Sequence, residues 1–259
     1  MAFKTRLTWQ RIPAQAMRIV TPEREARFWL GFCILYFFAS IVTGWLIRRW
    51  PHPFLGAASL TQDTWYIVFF KLFLLLSVPL VAYHRAGYRI ADLTPGWRLG
   101  IRSLAPIGIG YALGFVVNAG HLDHYAAVRG SFSQTGFFTR VALGPVLAFL
   151  IAGFPEEFVF RGILHTRLEA TRGRVAAILL TAILFTAWHI PPRYFNAAGV
   201  EGQAGDLASV LIGTGAPVFV VGLIFGLIWE RYRSFCPLVA CHTGVDTLPM
   251  ITSLLGITR

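Results

Sequence analysis

The chain has 259 residues, of which 56% are hydrophobic and 14% are charged, and its formal net charge is +11. An average soluble domain has about 25% charged residues, so this composition excludes an ordinary soluble protein and favours a polytopic membrane protein. The basic residues lie mostly in the short links between apolar runs, which is a topology signal. We therefore expect contact with membrane lipids rather than binding to nucleic acid.

The first 28 residues are predicted to be a basic segment on the cytoplasmic side, and residues 29–259 are predicted to form a single transmembrane domain. No short apolar stretch precedes a small-residue cleavage site, so we expect no cleaved signal peptide. Thr21, Pro22 and Glu23 form a pattern typical of a helix start. The first helix is therefore expected to begin before the membrane.

Long apolar stretches follow along the whole chain, and about 20 such residues can cross the hydrocarbon core as a helix. Seven are found, at 29–47, 65–83, 101–118, 141–164, 175–190, 207–229 and 235–256. The predicted fold is an all-α bundle of about seven transmembrane helices, and an eighth stays open because a re-entrant span is easily missed. The N-terminal segment and the links on its side carry 14 Lys and Arg residues, against 6 on the other side. This bias predicts a cytoplasmic N-terminus in the cell (inner) membrane.

The fourth stretch contains two adjacent carboxylates, Glu156 and Glu157, followed by Arg161. Ionised groups at membrane depth are costly and usually functional. Glu157 and Arg161 are four residues apart in the favourable order, which predicts a charge pair on one helix face. Glu156 lies about 100° around the helix from Glu157, so it is free to face something else.

Three further ionisable residues lie in later apolar stretches: His189, His242 and Asp246. Counted at 1.5 Å per residue from the nearest basic link, they and Glu156 lie about 12–22 Å deep. The hydrocarbon core is about 30 Å thick, so all four fall near its middle. His242 and Asp246 are four residues apart and share one helix face. The sequence therefore predicts that the four residues meet in one site.

Two mechanisms fit these residue types. A desolvated Glu156, aided by a histidine, can act as a general base on water, while His242 and Asp246 hold a carbonyl or its oxyanion. The same four residues can instead bind Zn²⁺ or another divalent metal that activates the water. The zincin pattern HExxH is absent, and no cofactor follows with certainty. Lys71 is expected only to snorkel or pair. The remaining histidines considered, His84, His121, His124 and His165, are expected in links or at interfaces.

These residues give the chain a resemblance to the CAAX prenyl protease and bacteriocin-processing family of intramembrane proteases, which includes the type II CAAX prenyl endopeptidases. The family motif EExxxR is matched by Glu156 to Arg161, and FxxxH is matched by Phe185 to His189. The third motif, HxxxN or HxxxD, is matched by His242 to Asp246. The three motifs occur in family order over roughly residues 141–250.

The resemblance implies an all-helical bundle that hydrolyses a peptide bond of a membrane-associated peptide or protein, with or without a lipid anchor. It implies that Glu156 activates the water with His189 and that His242 and Asp246 position water or stabilise the oxyanion. Glu157, Arg161 and Phe185 would support them. Asp246 replaces the asparagine of the eukaryotic prenyl proteases, and an ionised aspartate cannot donate a hydrogen bond, which weakens the case for an oxyanion role for this residue and for a prenylated substrate.

Two other classes of protein use a buried Glu/His cluster. A proton-coupled small transporter would use it as a relay, but transporters commonly show paired repeats, and here the cluster lies in the second half of the chain only. A non-catalytic membrane scaffold or immunity protein would tolerate Glu156→Gln without loss of function. An enzyme would not tolerate it.

Overall fold

The computed structural model describes residues 21–54, 60–93, 101–117 and 122–257, so most of the predicted basic segment, residues 1–20, lies outside the described residues. The described part of the chain forms a bundle of eight helices joined by short links and single 3₁₀ turns. The helices are α1 (Pro22–Arg49), α2 (Trp65–Arg85), α3 (Ile101–Val117), α4 (Leu122–Gly130), α5 (Phe137–Arg172), α6 (Arg174–Asn196), α7 (Leu207–Tyr232) and α8 (Phe235–Leu254).

Five of these helices, α1, α2, α5, α6 and α7, are long and apolar enough to cross a membrane, and α3 adds a shorter apolar helix. Large apolar side chains remain exposed on their outer faces, such as Leu35 with 70% of its surface exposed. The predicted all-α polytopic bundle is therefore confirmed. Each predicted stretch corresponds to one helix, apart from residue 118, which lies outside the described residues. The additional helix is α4, in the third predicted link.

Helix α5 is longer than the predicted stretch 141–164. It continues as a helix to Arg172, and the predicted ten-residue link after it shrinks to Gly173, whose φ is +81°. A positive φ is readily adopted by glycine, which is why helices often end there. The added turns are polar in sequence but are anchored by Leu168 and Arg167, both buried. Apolar content alone could not reveal these turns.

Helix α8 lies at the centre of the bundle and packs against α3 and α5. The close approach to α3 depends on small residues: a Cβ added at Gly114 would lie 2.8 Å from the Gly244 carbonyl oxygen, and one at Gly244 would lie 2.8 Å from the Tyr111 amide nitrogen. On the α5 side, a Cβ at Gly153 would lie 2.7 Å from Thr243 Oγ1. Small residues at such interfaces let membrane helices approach closely, and here they bring the acidic turn of α5 beside α8.

Candidate active site

The acidic turn of α5 is a short α-helical segment, Phe154–Glu157, between two wider π-helical turns at Phe149–Gly153 and Phe158–His165. Pro155 lies inside it and cannot donate the hydrogen bond that a regular helix requires. Single π-turns within helices are frequent at functional sites. The side chains of Glu156 and Glu157 are both buried inside the bundle.

Glu157 joins three helices. Arg161 Nη1 donates a hydrogen bond to Glu157 Oε1 at 3.0 Å, and His242 Nδ1 donates to the same oxygen at 2.7 Å. Arg161 Nη2 donates to the Gly222 carbonyl of α7 at 3.0 Å. The predicted Glu157–Arg161 pair is thus present, fully buried. Glu157 therefore acts as a positioning residue that fixes the ring of His242.

Glu156 faces a different set of groups. Its Oε1 forms an ion pair with the ammonium of Lys71, while Oε2 is buried and has no hydrogen-bond partner among the described residues. His242 Nε2 lies 3.7 Å from Oε2 and His189 Nε2 lies 3.9 Å from it. These distances are too long for direct hydrogen bonds. They leave Oε2 and the His189 nitrogen at a spacing that a water molecule can bridge.

His189 is oriented by its own helix. Its Nδ1 donates to the Phe185 carbonyl at 2.6 Å, and its ring lies against the Trp188 ring with centroids 3.6 Å apart. A neutral imidazole with its proton on Nδ1 carries a lone pair on Nε2. The nitrogen that faces Glu156 is therefore an acceptor. The four-residue spacing of FxxxH places the Phe185 carbonyl one helical turn before His189, where it accepts the hydrogen bond from Nδ1.

His242 lies between two carboxylates. Its Nδ1 meets Glu157, and its Nε2 lies 3.2 Å from Asp246 Oδ2 one turn along α8. Ionised carboxylates only accept hydrogen bonds, so a ring protonated at both nitrogens satisfies both partners. Asp246 is 31% exposed, against 5% for the His242 side chain. His242 is thus placed to present an N–H beside Glu156.

These groups open into one cavity of about 470 Å³, a size typical of small-ligand and peptide sites. Its polar lining includes all four predicted residues, Glu156, His189, His242 and Asp246, together with Lys71, Arg193 and Glu201. Most of the remaining lining is apolar, from residues of α5, α7 and α8. The structure therefore brings together the four predicted catalytic residues, from three helices.

Lys71 is the site residue that sequence reasoning missed. Its ammonium lies 4.2 Å from the centroid of the Trp188 ring and 5.2 Å from that of Tyr66, and its side chain is 2% exposed. A signal existed in the sequence. The chain has 21 arginines but only two lysines, and of these two lysines only Lys71 lies inside an apolar stretch. An intramembrane cation requires a partner, and Glu156 is that partner.

His165 lies elsewhere than expected. It lies within helix α5 rather than in a link, it is fully buried, and its Nε2 lies 3.0 Å from Glu230 Oε1. Arg233 contacts both Glu230, at 2.7 Å, and Glu169, at 2.5 Å. Burial lowers the pKa of the Arg233 guanidinium, but the hydrogen bonds and charges of Glu169 and Glu230 outweigh burial and raise it. This cluster ties together the ends of α5 and α7.

The metal hypothesis can be compared with these geometries. Among the described residues, the group whose possible ligand atoms all lie within 4.8 Å of one another is His165, Glu169 and Glu230, whose carboxylates are bound by arginines. At the predicted set, the ammonium of Lys71 is bound to Glu156. A divalent cation on Glu156 would lie close to that positive charge, so the residues present fit a metal poorly.

Residues 138–248 match the family model Type II CAAX prenyl endopeptidase Rce1-like. The match covers the four predicted residues and confirms the resemblance predicted from the three motifs. Comparisons with curated proteins and with solved structures gave no match.

Proposed function

Because residues 138–248 carry the domain of the Rce1-like type II CAAX prenyl endopeptidases, we propose that this multi-pass membrane protein is an intramembrane endopeptidase in which Glu156 and His189 activate water. The observation that carries the proposal is the unpartnered, buried Glu156 Oε2, which faces the His189 acceptor nitrogen across 3.9 Å inside the cavity. A buried polar atom without a partner in a native fold requires an explanation. A water molecule held between Glu156 Oε2 and His189 Nε2 would give Oε2 a hydrogen-bond partner.

The water would donate one hydrogen to Glu156 Oε2 and the other to His189 Nε2, which leaves its lone pairs free to attack. As the water oxygen bonds to the substrate carbonyl carbon, Glu156 takes up one proton as general base. The carbonyl oxygen becomes an oxyanion, and the positive charge of the doubly protonated His242 ring lies nearby and can stabilise it. When the C–N bond breaks, Glu156 returns its proton to the leaving amine.

The supporting residues have distinct tasks in this mechanism. Lys71 holds Glu156 Oε1, so that Oε2 faces the cavity. Glu157 and Asp246 keep both His242 nitrogens protonated, which assigns Asp246 to orienting His242 rather than to contact with the oxyanion. Arg161 fixes Glu157 to α5 and α7. No step runs through a metal.

The substrate is proposed to be a membrane-associated peptide or protein, with or without a lipid anchor, cleaved near the middle of the bilayer. The apolar remainder of the cavity lining suits such a substrate. The excess of Lys and Arg in alternate links supports a cytoplasmic N-terminus in the inner membrane.

The experiment is cleavage of a mixed pool of prenylated and unmodified apolar peptides by purified protein, read by mass spectrometry. Glu156→Gln keeps the side-chain shape but removes the base, so products should fall by about 10²–10⁴-fold. Glu23→Gln changes an exposed glutamate of α1 and should leave the products unchanged. Equal products from the wild type and Glu156→Gln, or no product from any peptide in the pool, would overturn the proposal.

A further inference from the structure

Arg193 lies in the same cavity, one turn beyond His189 on α6, and the mechanism does not use it. Its side chain is 11% exposed, and its Nη2 reaches Glu201 Oε1 at a long 3.5 Å. Its Nε and Nη1 are buried and have no partner at hydrogen-bond geometry among the described residues, although the Tyr66 hydroxyl interacts with the guanidinium. Buried donors of an arginine are costly to leave unpaired.

The other lysine or arginine among the described residues of the cavity lining is Lys71, and its ammonium is bound to Glu156. Of these two basic side chains, Arg193 is therefore the one with N–H donors available to a ligand. Its partner Glu201 belongs to the link between α6 and α7, which is fixed in place because Thr214 Oγ1 donates to the Glu201 carbonyl at 2.8 Å. A planar guanidinium with free N–H groups is the side chain best suited to bind a carboxylate.

From this geometry we infer that Arg193 is a specificity residue that binds a carboxylate of the substrate. The inference rests on the proposed function. Four residues of α-helix separate Arg193 from His189 by about 6 Å along the axis, and an extended peptide advances about 3.3–3.6 Å per residue. For a peptide that runs alongside α6, the carboxylate is thus about two residues from the cleaved bond. It is either a free C-terminus or the side chain of an Asp or Glu.

The test uses three peptides built on one cleaved sequence. The first has a free C-terminus, the second has a C-terminal amide, and the third has a C-terminal amide plus an aspartate about two residues from the cleaved bond. For wild type, kcat/KM should be at least tenfold higher for a carboxylate peptide than for the neutral amide. Comparison of the first and third peptides shows whether the enzyme prefers a C-terminal carboxylate or an aspartate side chain. In Arg193→Met the ratio should fall to about one, whereas Arg140→Met, a change of an exposed arginine of α5, should keep it.

Two further measurements keep the result interpretable. Glu201→Gln removes the competing carboxylate, so the preference should rise; a purely structural role for Arg193 would not produce that rise. Binding of the same peptides to the Glu156→Gln protein separates the two proposals. If the peptides bind with a carboxylate preference but wild type cleaves none of them, the protease function is rejected and the role of Arg193 is retained. An unchanged ratio in Arg193→Met, or no increase in Glu201→Gln, would overturn the role of Arg193.

Discussion

The ion pair between Lys71 and Glu156 gives the sharpest physical prediction. Both side chains are 2% exposed, so replacing Lys71 with methionine leaves a buried carboxylate without its counter-charge. Breaking a buried pair in this way costs about 3–5 kcal/mol. The lost contact with the Trp188 ring adds about 0.5–2 kcal/mol. At about 2–4 °C per kcal/mol for a chain of this size, Tm should fall by at least about 6 °C.

The pair can be isolated from the packing of its side chains by a double-mutant cycle. Glu156→Gln alone leaves a buried ammonium beside a neutral amide and should also destabilise. The double variant Lys71→Met/Glu156→Gln buries no charge at this position. Its loss of stability should therefore be smaller than the sum of the two single losses by at least about 2 kcal/mol, within the range of directly coupled residues.

The assay is thermal or denaturant unfolding of the purified protein in one detergent, followed by tryptophan fluorescence. Arg140→Met, a change at an exposed position, should alter stability by no more than about 0.5 kcal/mol. If the two single losses add to within about 0.5 kcal/mol, Lys71 and Glu156 are not paired in the folded protein. The assignment of Lys71 to the site would then be wrong.

Three other changes have definite expected outcomes. Arg161→Met leaves Glu157 without its guanidinium and should lower the free energy of unfolding by about 3–5 kcal/mol; a loss below 1 kcal/mol in denaturant unfolding would contradict this. His189→Gln should reduce kcat by about 10²–10⁴-fold while Tm stays within a few degrees of wild type, because the ring donates only to its own helix. Treatment with a chelator should leave cleavage by the purified protein unchanged, whereas a loss that Zn²⁺ restores would favour the metal mechanism on Glu156.

Much of the architecture could be predicted because lipid imposes strong constraints on sequence. In hydrocarbon every backbone polar group must be satisfied within the helix, so apolar stretches of sufficient length identify the spanning elements. The same solvent makes an ionised side chain expensive, and this is why Glu156, His189, His242 and Asp246 stand out and why their common depth predicts one site. The pairing of Glu157 with Arg161 followed from helical spacing alone.

Other features depended on contacts between residues distant in sequence. The turns after residue 164 are polar, so only burial of Arg167 and Leu168 against neighbouring helices shows that α5 continues. His165 was expected in a link or at an interface, because nothing near it in the sequence indicates that Glu230 is its partner.

The sequence by itself determined the helical class, the membrane setting and the resemblance to the CAAX protease family, and it predicted the four central ionisable residues, because each rests on composition, local spacing or short motifs. Only the tertiary structure decided which partner each charge meets. Glu156 and Glu157 are adjacent in the chain, yet one pairs with Lys71 on α2 and the other with Arg161 and His242. That division depends on the contacts of α5 with neighbouring helices and on the glycine-dependent approach of α8, neither of which a local sequence pattern predicts.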